Sequence, residues 1–314
     1  MRKVVFILMW LGIVSLCSSP SYAFWIWSPK TGSWKSPKQS VKPTPKGQLK
    51  VIQELYDGKK YQEALEESQK LIKHYPKAYE ASEAQLFIGL SLEGMQKFYE
   101  GYKAYQKVID KYPFSSRIDE IIERQLKIGQ TFMSGEKRKA AGIDLPVENP
   151  SIEIFRKVVE NSPYGKHAAQ AQYLLGMILK NVSRFQEAHD EFEKVVTTYP
   201  ESEWASPAKF QVADCASKIA PKAEYDQELT QEAKKKFEEF VKSQPDAALQ
   251  EEARSQIDSL KEKEAQGNLH TAGFYEKQKK YDAARIYYQE IVNNCSYCES
   301  ASIAREKLKE LEKK

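Results

Sequence analysis

One phrase recurs along this chain and limits what it can fold into: an aromatic residue, an Ala or Gly three positions later, an apolar pair, and then a proline. It reads Tyr61, Ala64, Leu71-Ile72, Tyr75-Pro76; then Phe98, Gly101, Val108-Ile109, Tyr112-Pro113; then Phe185, Ala188, Val195-Val196, Tyr199-Pro200. Apolar residues at helical spacing predict helices, and each proline, which lacks an N–H and restricts the residue before it, predicts where a helix stops. The distance from one phrase to the next leaves room for a second helix, so the repeat predicts stacked helical hairpins. The register is shared: counting 8, 13 and 22 residues from Pro76 reaches Ala84, Gly89 and Phe98, and from Pro163 reaches Ala171, Gly176 and Phe185. Small residues at these places allow the first helix of a pair to approach the second, which the aromatic opens.

Extended over the chain, the spacing predicts second helices at 61–75, 98–112, 150–162, 185–199, 230–244 and 281–295, each preceded by a first helix. The last first helix is long, 247–277, and a helix at 299–313 closes the stack with Ile303, Leu308 and Leu311 on its apolar face. Strands are nearly absent; 146–150 and 218–227 read as loops, and 133–143 as a basic, Gly-containing connector. The fold class is therefore all-α, a solenoid of five to six hairpins over residues 48–314 with a C-terminal capping helix. A chain of 314 residues is near the upper limit for one compact core. A repeat array escapes that limit because each unit packs only on its neighbours.

The start of the chain reads as an export signal. Arg2 and Lys3 precede an apolar run from Val4 to Leu16, too short to span a bilayer and suited to a secretory leader over 1–23. Small residues before Ala23 place cleavage between Ala23 and Phe24. The alternative is a lipoprotein signal ending at Cys17, to which Leu16 is the objection, because the residue before a lipidated Cys is normally small.

Residues 24–47 are a separate segment. They hold Trp25, Trp27 and Trp34, five lysines (Lys30, Lys35, Lys38, Lys42, Lys46), four prolines and no acid. Proline blocks helix and the lysines repel, so the segment is expected to be extended. Three indoles in such a stretch call for burial. They serve either as an anchor to a membrane interface or a partner groove, or as a cap folded onto the first helices. The formal net charge is +4, but with the leader and this segment set aside residues 48–314 sum to −3, which is no footprint for nucleic acid.

The repeats, with Tyr-Pro closing each second helix, resemble the tetratricopeptide-type repeats of bacterial envelope proteins. The C-terminal stretch is more specifically similar to the BamD-like family of outer-membrane β-barrel assembly factors. The residues that carry this are Ala233, Phe237 and Phe240, then Leu260, Glu264, Ala272 and Phe274-Tyr275, then Lys280-Tyr281 and Ala284. The Trp-rich opening from Phe24 to Trp34 is similar to the tail that precedes such repeats in some BamD-like proteins. The resemblance implies a periplasmic scaffold at the outer membrane, docking a barrel-type assembly protein through its C-terminal repeats, with Phe274, Tyr275 and Tyr281 as docking candidates. It also implies capture of unfolded outer-membrane protein substrates near the N-terminal groove, with contact to outer-membrane lipid. The family is usually lipidated and is expected to have five repeats; here the sequence around Cys17 is a poor lipidation signal and the chain holds one repeat more. The alternative is another envelope interaction module, similar to CpoB-like coordinators of cell-wall or division proteins. That family has a coiled coil before its repeats, for which 24–47 offers no heptads.

No catalytic constellation is evident, and no cofactor or metal is expected. His74, His167, His189 and His270 fall in different repeats without ligand spacing, and no phosphate loop or nucleophile elbow occurs. The remaining chemistry lies in cysteine. Cys295-Ser-Tyr-Cys298 stands where other repeats have Tyr-Pro. In an oxidising compartment it can form a local disulfide that locks the turn; the alternative is a redox pair, with Cys298 at a helix N-terminus. Cys215, between small residues, reads as buried and apolar. Partner contacts are expected on the exposed residues of the first helices at 80–94, 116–131, 166–180 and 203–216. Tyr79, Tyr173 and Tyr275 either present rings to a ligand or pack between helices.

Overall fold

The computed structural model describes residues 26–28, 33–35, 41–137, 139–140, 143–144, 148–219, 227–243 and 247–312. The leader and its cleavage candidates, Cys17, Ala23 and Phe24, lie outside them, as does Trp25. The chain divides into two compact units between Met95 and Gln96. The first contains strands β1 (Ile26–Ser28) and β2 (Ser33–Lys35) and helices α1 (Pro45–Asp57), α2 (Tyr61–His74) and α3 (Glu80–Gly94). The second contains α4 (Phe98–Lys111), α5 (Ile118–Met133), the strand pair β3 (Lys139–Ala140) and β4 (Ile143–Asp144), α6 (Pro150–Asn161), α7 (Ala168–Asn181) and α8 (Phe185–Thr198). It continues through α9 (Ala205–Ile219), α10 (Gln227–Ser243), α11 (Ala247–Lys277), α12 (Tyr281–Asn294) and α13 (Glu299–Leu311). In each unit consecutive helices pack as antiparallel neighbours, and the fold is all-α, of tetratricopeptide-type hairpins.

The second helices share a buried stripe of three positions. Ten residues before the last helical residue stands a small side chain (Ala64, Gly101, Ser151, Ala188, Ala233, Ala284), and three before it an apolar one (Leu71, Val108, Val158, Val195, Phe240, Ile291). Between them, six before the end, is a ring: Tyr105, Phe155, Phe192 and Phe237 are fully buried and Tyr288 is 3% exposed, with Ser68 the one departure. A spacing of four and three residues puts the three on one helix face. The ring is what the first helix closes on. A Cβ on Gly176 would lie 2.6 Å from the Phe192 ring, and one on Gly129 2.5 Å from that of Phe155, so only glycine permits these approaches. The aromatics that open the helices, Phe98, Phe185 and Tyr281, are half-buried, and the closing role belongs to the later ring.

Two turns repeat with the helices. Among the described residues, four second helices end on a residue of nearly constant backbone, φ −128°, ψ 54° at Tyr75, −132°, 58° at Tyr112, −146°, 67° at Ser162 and −126°, 53° at Tyr199. Its N–H donates four residues back and its carbonyl accepts from three residues on, as in Ser115 N to Tyr112 O at 2.9 Å. Cys295 has the same geometry, −146°, 67°, without a following proline. Two residues before four of the opening aromatics the chain passes through the left-handed region, at Lys59, Gln96, Ser183 and Lys279 (φ 56° to 62°), none of them glycine. Such a residue costs roughly 1–2 kcal/mol, which the surrounding helices offset.

Several sequence expectations change. The Trp-bearing segment is extended but folded back: β1 pairs antiparallel with β2, Trp27 opposite Trp34. The connector at 133–143 begins with the last residue of α5 and holds β3 and the first residue of β4. Helix α9 runs to Ile219, past Lys218, because Lys218 reaches back one turn to Asp214 at 2.9 Å. On α13 the buried stripe is Ala301, Ala304 and Leu311 with Leu308 partly buried, while Ile303 is 45% exposed on the wet side.

Candidate interaction surface

The first helices offer less surface than hairpin packing usually leaves. From Ala168 to Lys180 on α7 no residue is fully exposed, since α7 is covered by α6 on one side and by α8 and α9 on another. Tyr173 is packed between Phe192 and Trp204, ring centroids 5.4 and 5.0 Å away. Tyr79, in contrast, is 70% exposed. Several polar side chains that reach inward are answered in place. Asp214 holds Lys180 at 2.5 Å and Lys218 at 2.9 Å, Glu264 holds Lys234 at 2.7 Å, and Tyr99 and Tyr102 both donate to Glu153, at 2.9 and 3.1 Å. Burial, and then the Glu153 carboxylate, push the Tyr102 hydroxyl far above its ordinary value, so it stays a donor.

Two grooves remain. One, of about 410 Å³, lies between α8, α9 and α10 and is crossed by an ion pair of Lys236 with Glu193 at 3.4 Å. The other, of about 740 Å³, lies along α12 beside α13 and is lined by Arg285, Ile286, Gln289, Asn293 and Leu308 among others. Ile286 is the informative residue. Eight positions before the end of the other second helices stand Glu66, Lys103, Glu153, Asp190 and Lys235, all exposed and all charged. The last helix has Ile286 there, 67% exposed. A charged side chain at such a place keeps water on the surface; an isoleucine invites cover.

Of the docking candidates, Phe274 is 55% exposed on α11. Tyr275 turns inward and stacks on Tyr287 at 5.7 Å and 12°, and Tyr281 is half-buried against the same cluster. Phe274 is therefore the available ring of the three. Trp27 is 47% exposed, and Trp34 is its strand partner. Cys295 and Cys298 are joined as a disulfide across the turn, Cα atoms 5.4 Å apart. Between them Tyr297 leans on α11, donating to Asp258 at 2.5 Å. Cys215 is buried, and burial pushes its thiol up to about 11. Among the described residues no group of His, Cys, Asp and Glu has the arrangement of a metal site, and no helix is long and apolar enough to cross a membrane.

The C-terminal region that carries these features, residues 215–313, matches the YfiO family, described as an outer membrane lipoprotein, and residues 83–115 match the tetratricopeptide repeat. Both are families of protein-interaction scaffolds. A comparison with curated proteins gives no match. Among solved structures, the chain is similar to the C-terminal part of a tetratricopeptide-repeat protein from Cytophaga hutchinsonii, at 15% identity over 84% of this chain and 88% of that one, with a TM-score of 0.38. It is similar also to a tetratricopeptide repeat protein from Parabacteroides merdae, at 12% identity over 85% and 98%, with a TM-score of 0.36. A third, YrrB, described as having an unusual peptide-binding site, shares 15% identity over 70% and 94%, with a TM-score of 0.36. Scores at this level carry nothing about site or partner.

Ile286 escaped the sequence reading because the repeat phrase was aligned on residues that face inward. Aligning the outward positions instead separates it at once, as the single apolar residue in a charged column.

Proposed function

We propose that the chain is a non-catalytic periplasmic scaffold at the outer membrane, which docks a β-barrel assembly protein with its last hairpin. The leader expected over 1–23 would deliver it there. The observation that carries the reading is the exposed Ile286 and its groove, on a helix within the segment that matches an outer membrane lipoprotein family. The partner would cover Ile286 and Phe274, with Gln289 and Asn293 hydrogen-bonding at the rim. The Cys295–Cys298 bridge holds the turn that Tyr-Pro fixes in other repeats and keeps α12 and α13 in the docking geometry. Unfolded outer-membrane proteins would be the substrates handed on, and Trp27 with its neighbouring lysines a further tether to the envelope.

The test is purification of native complexes from solubilised envelopes carrying the full chain. Recovery with a barrel protein that has periplasmic domains supports the reading. Recovery only with peptidoglycan or division proteins would replace it with the coordinator function similar to CpoB-like proteins.

A further inference from the structure

Two of the turns that join one hairpin to the next carry aromatic rings with no apparent structural use. Phe114 is 98% exposed and Tyr164 91% exposed. Each follows the proline directly, three residues beyond the end of its helix, at Tyr112-Pro113-Phe114 and Ser162-Pro163-Tyr164. The backbone of both turns is fixed by the same hydrogen bond, Ser115 N to Tyr112 O and Gly165 N to Ser162 O. The rings are thus held out by a rigid turn and are not the tips of slack loops.

The turns are neighbours on one edge. Asn161 at the end of α6 donates to Gln106 of α4 at 2.9 Å, and Lys166, beyond the second turn, reaches Glu123 of α5 at 3.5 Å. The next turn joins the row through Tyr199, whose hydroxyl donates to the Pro163 carbonyl at 2.8 Å. Charge is graded along this row. Residues 111–118 and 161–168 contain no acid, Lys111 and Lys166 are exposed, and Arg117 is paired with Glu120 on α5. The third turn has the opposite character: Glu201 and Glu203 are exposed, there is no cation, and its aromatic, Trp204, is folded onto Tyr173.

We propose that the edge formed by the α4–α5 and α6–α7 turns rests on an anionic lipid surface, with Phe114 and Tyr164 inserted at headgroup depth. Aromatic rings beside lysines are the side chains that partition there: the ring leaves water, and the ammonium meets phosphate. A polypeptide ligand is less suited to the site. The rings stand on turn tips at helix ends, a repeat apart, whereas the two grooves that could hold a chain lie along α8–α10 and α12–α13. A row of tips matches a flat partner. The site is independent of which protein docks on the last hairpin.

The experiment is co-flotation of the full mature chain with phosphatidylcholine vesicles, with and without phosphatidylglycerol. The chain should bind the anionic vesicles more tightly, and added salt should weaken that binding. Phe114→Ser with Tyr164→Ser should lower the affinity about tenfold per ring, since each loses the burial of one aromatic side chain, and should leave thermal unfolding unchanged. Glu201→Lys should raise it severalfold by extending the basic row. Three results would overturn the proposal. One is absence of vesicle binding by the unaltered chain, and another is unchanged vesicle affinity in the double variant. The third is loss of binding to an unfolded barrel-protein peptide while vesicle binding persists, which would make the edge a peptide site.

Discussion

The hairpin α7–α8 and the last hairpin α11–α12 are built to the same plan and finished differently. Both bury a small residue, a ring and an aliphatic on the second helix, and both end it on a residue of the same backbone geometry. In α7–α8 the turn beyond is Tyr199-Pro200, the outward position is Asp190, and the first helix carries Gly176 pressed against Phe192. In α11–α12 the turn is a bridged Cys295-Ser-Tyr-Cys298, the outward position is Ile286, and Gly273 on the first helix meets nothing within 4 Å. The inward face repeats because the next repeat must pack on it. The outward face is free to differ, and it differs at α12.

Truncating the ring should show the shared plan. Phe192→Ala is expected to cost about 3–5 kcal/mol in urea unfolding, with Tyr288→Ala in the same range. A much smaller loss for Tyr288 would break the equivalence of the two hairpins. Reducing the Cys295–Cys298 bridge, or Cys298→Ser, should cost about 2 kcal/mol, the value for closing so short a loop, with the loss confined to the last hairpin by hydrogen exchange. Cys215 should stay unlabelled by a thiol reagent until the chain unfolds, because burial raises its thiol to about 11. The glycines should then separate the regions by sign. Gly176→Ala should destabilise by roughly 1–3 kcal/mol through the clash with Phe192, while Gly273→Ala should stabilise by about 0.5–1 kcal/mol, as ordinary helix propensity dictates.

The hairpin order is legible from the prolines that follow the second helices, because a residue without an N–H cannot continue a helix past its first turn; Pro45, Pro150 and Pro207 stand instead within the first turns of α1, α6 and α9. The bounds of α2, α4 and α8 fall within a residue of the expected ones. The buried ring was not read, because Phe155 and Phe192 lie between two more regular markers and were not needed to count the repeat. The left-handed turns are invisible in the sequence for a different reason: Lys59, Gln96, Ser183 and Lys279 are not the residues that such backbone favours. The exposure of Tyr79 and the burial of Tyr275 also could not be told apart in the sequence, since both are tyrosines at helical spacing. The hydrophobicity of Ile303 predicts an inward position, but small residues, Ala301 and Ala304, occupy the contact and Ile303 is 45% exposed.

The central claim, that the last hairpin is a docking end, is tested most directly by Ile286→Glu in the full chain. This restores at the last repeat the kind of side chain that the five others carry there. The account predicts an unchanged unfolding temperature, since Ile286 is 67% exposed, and at least a tenfold loss of the barrel partner recovered from solubilised envelopes. Recovery of that partner at the level of the unaltered chain would contradict it.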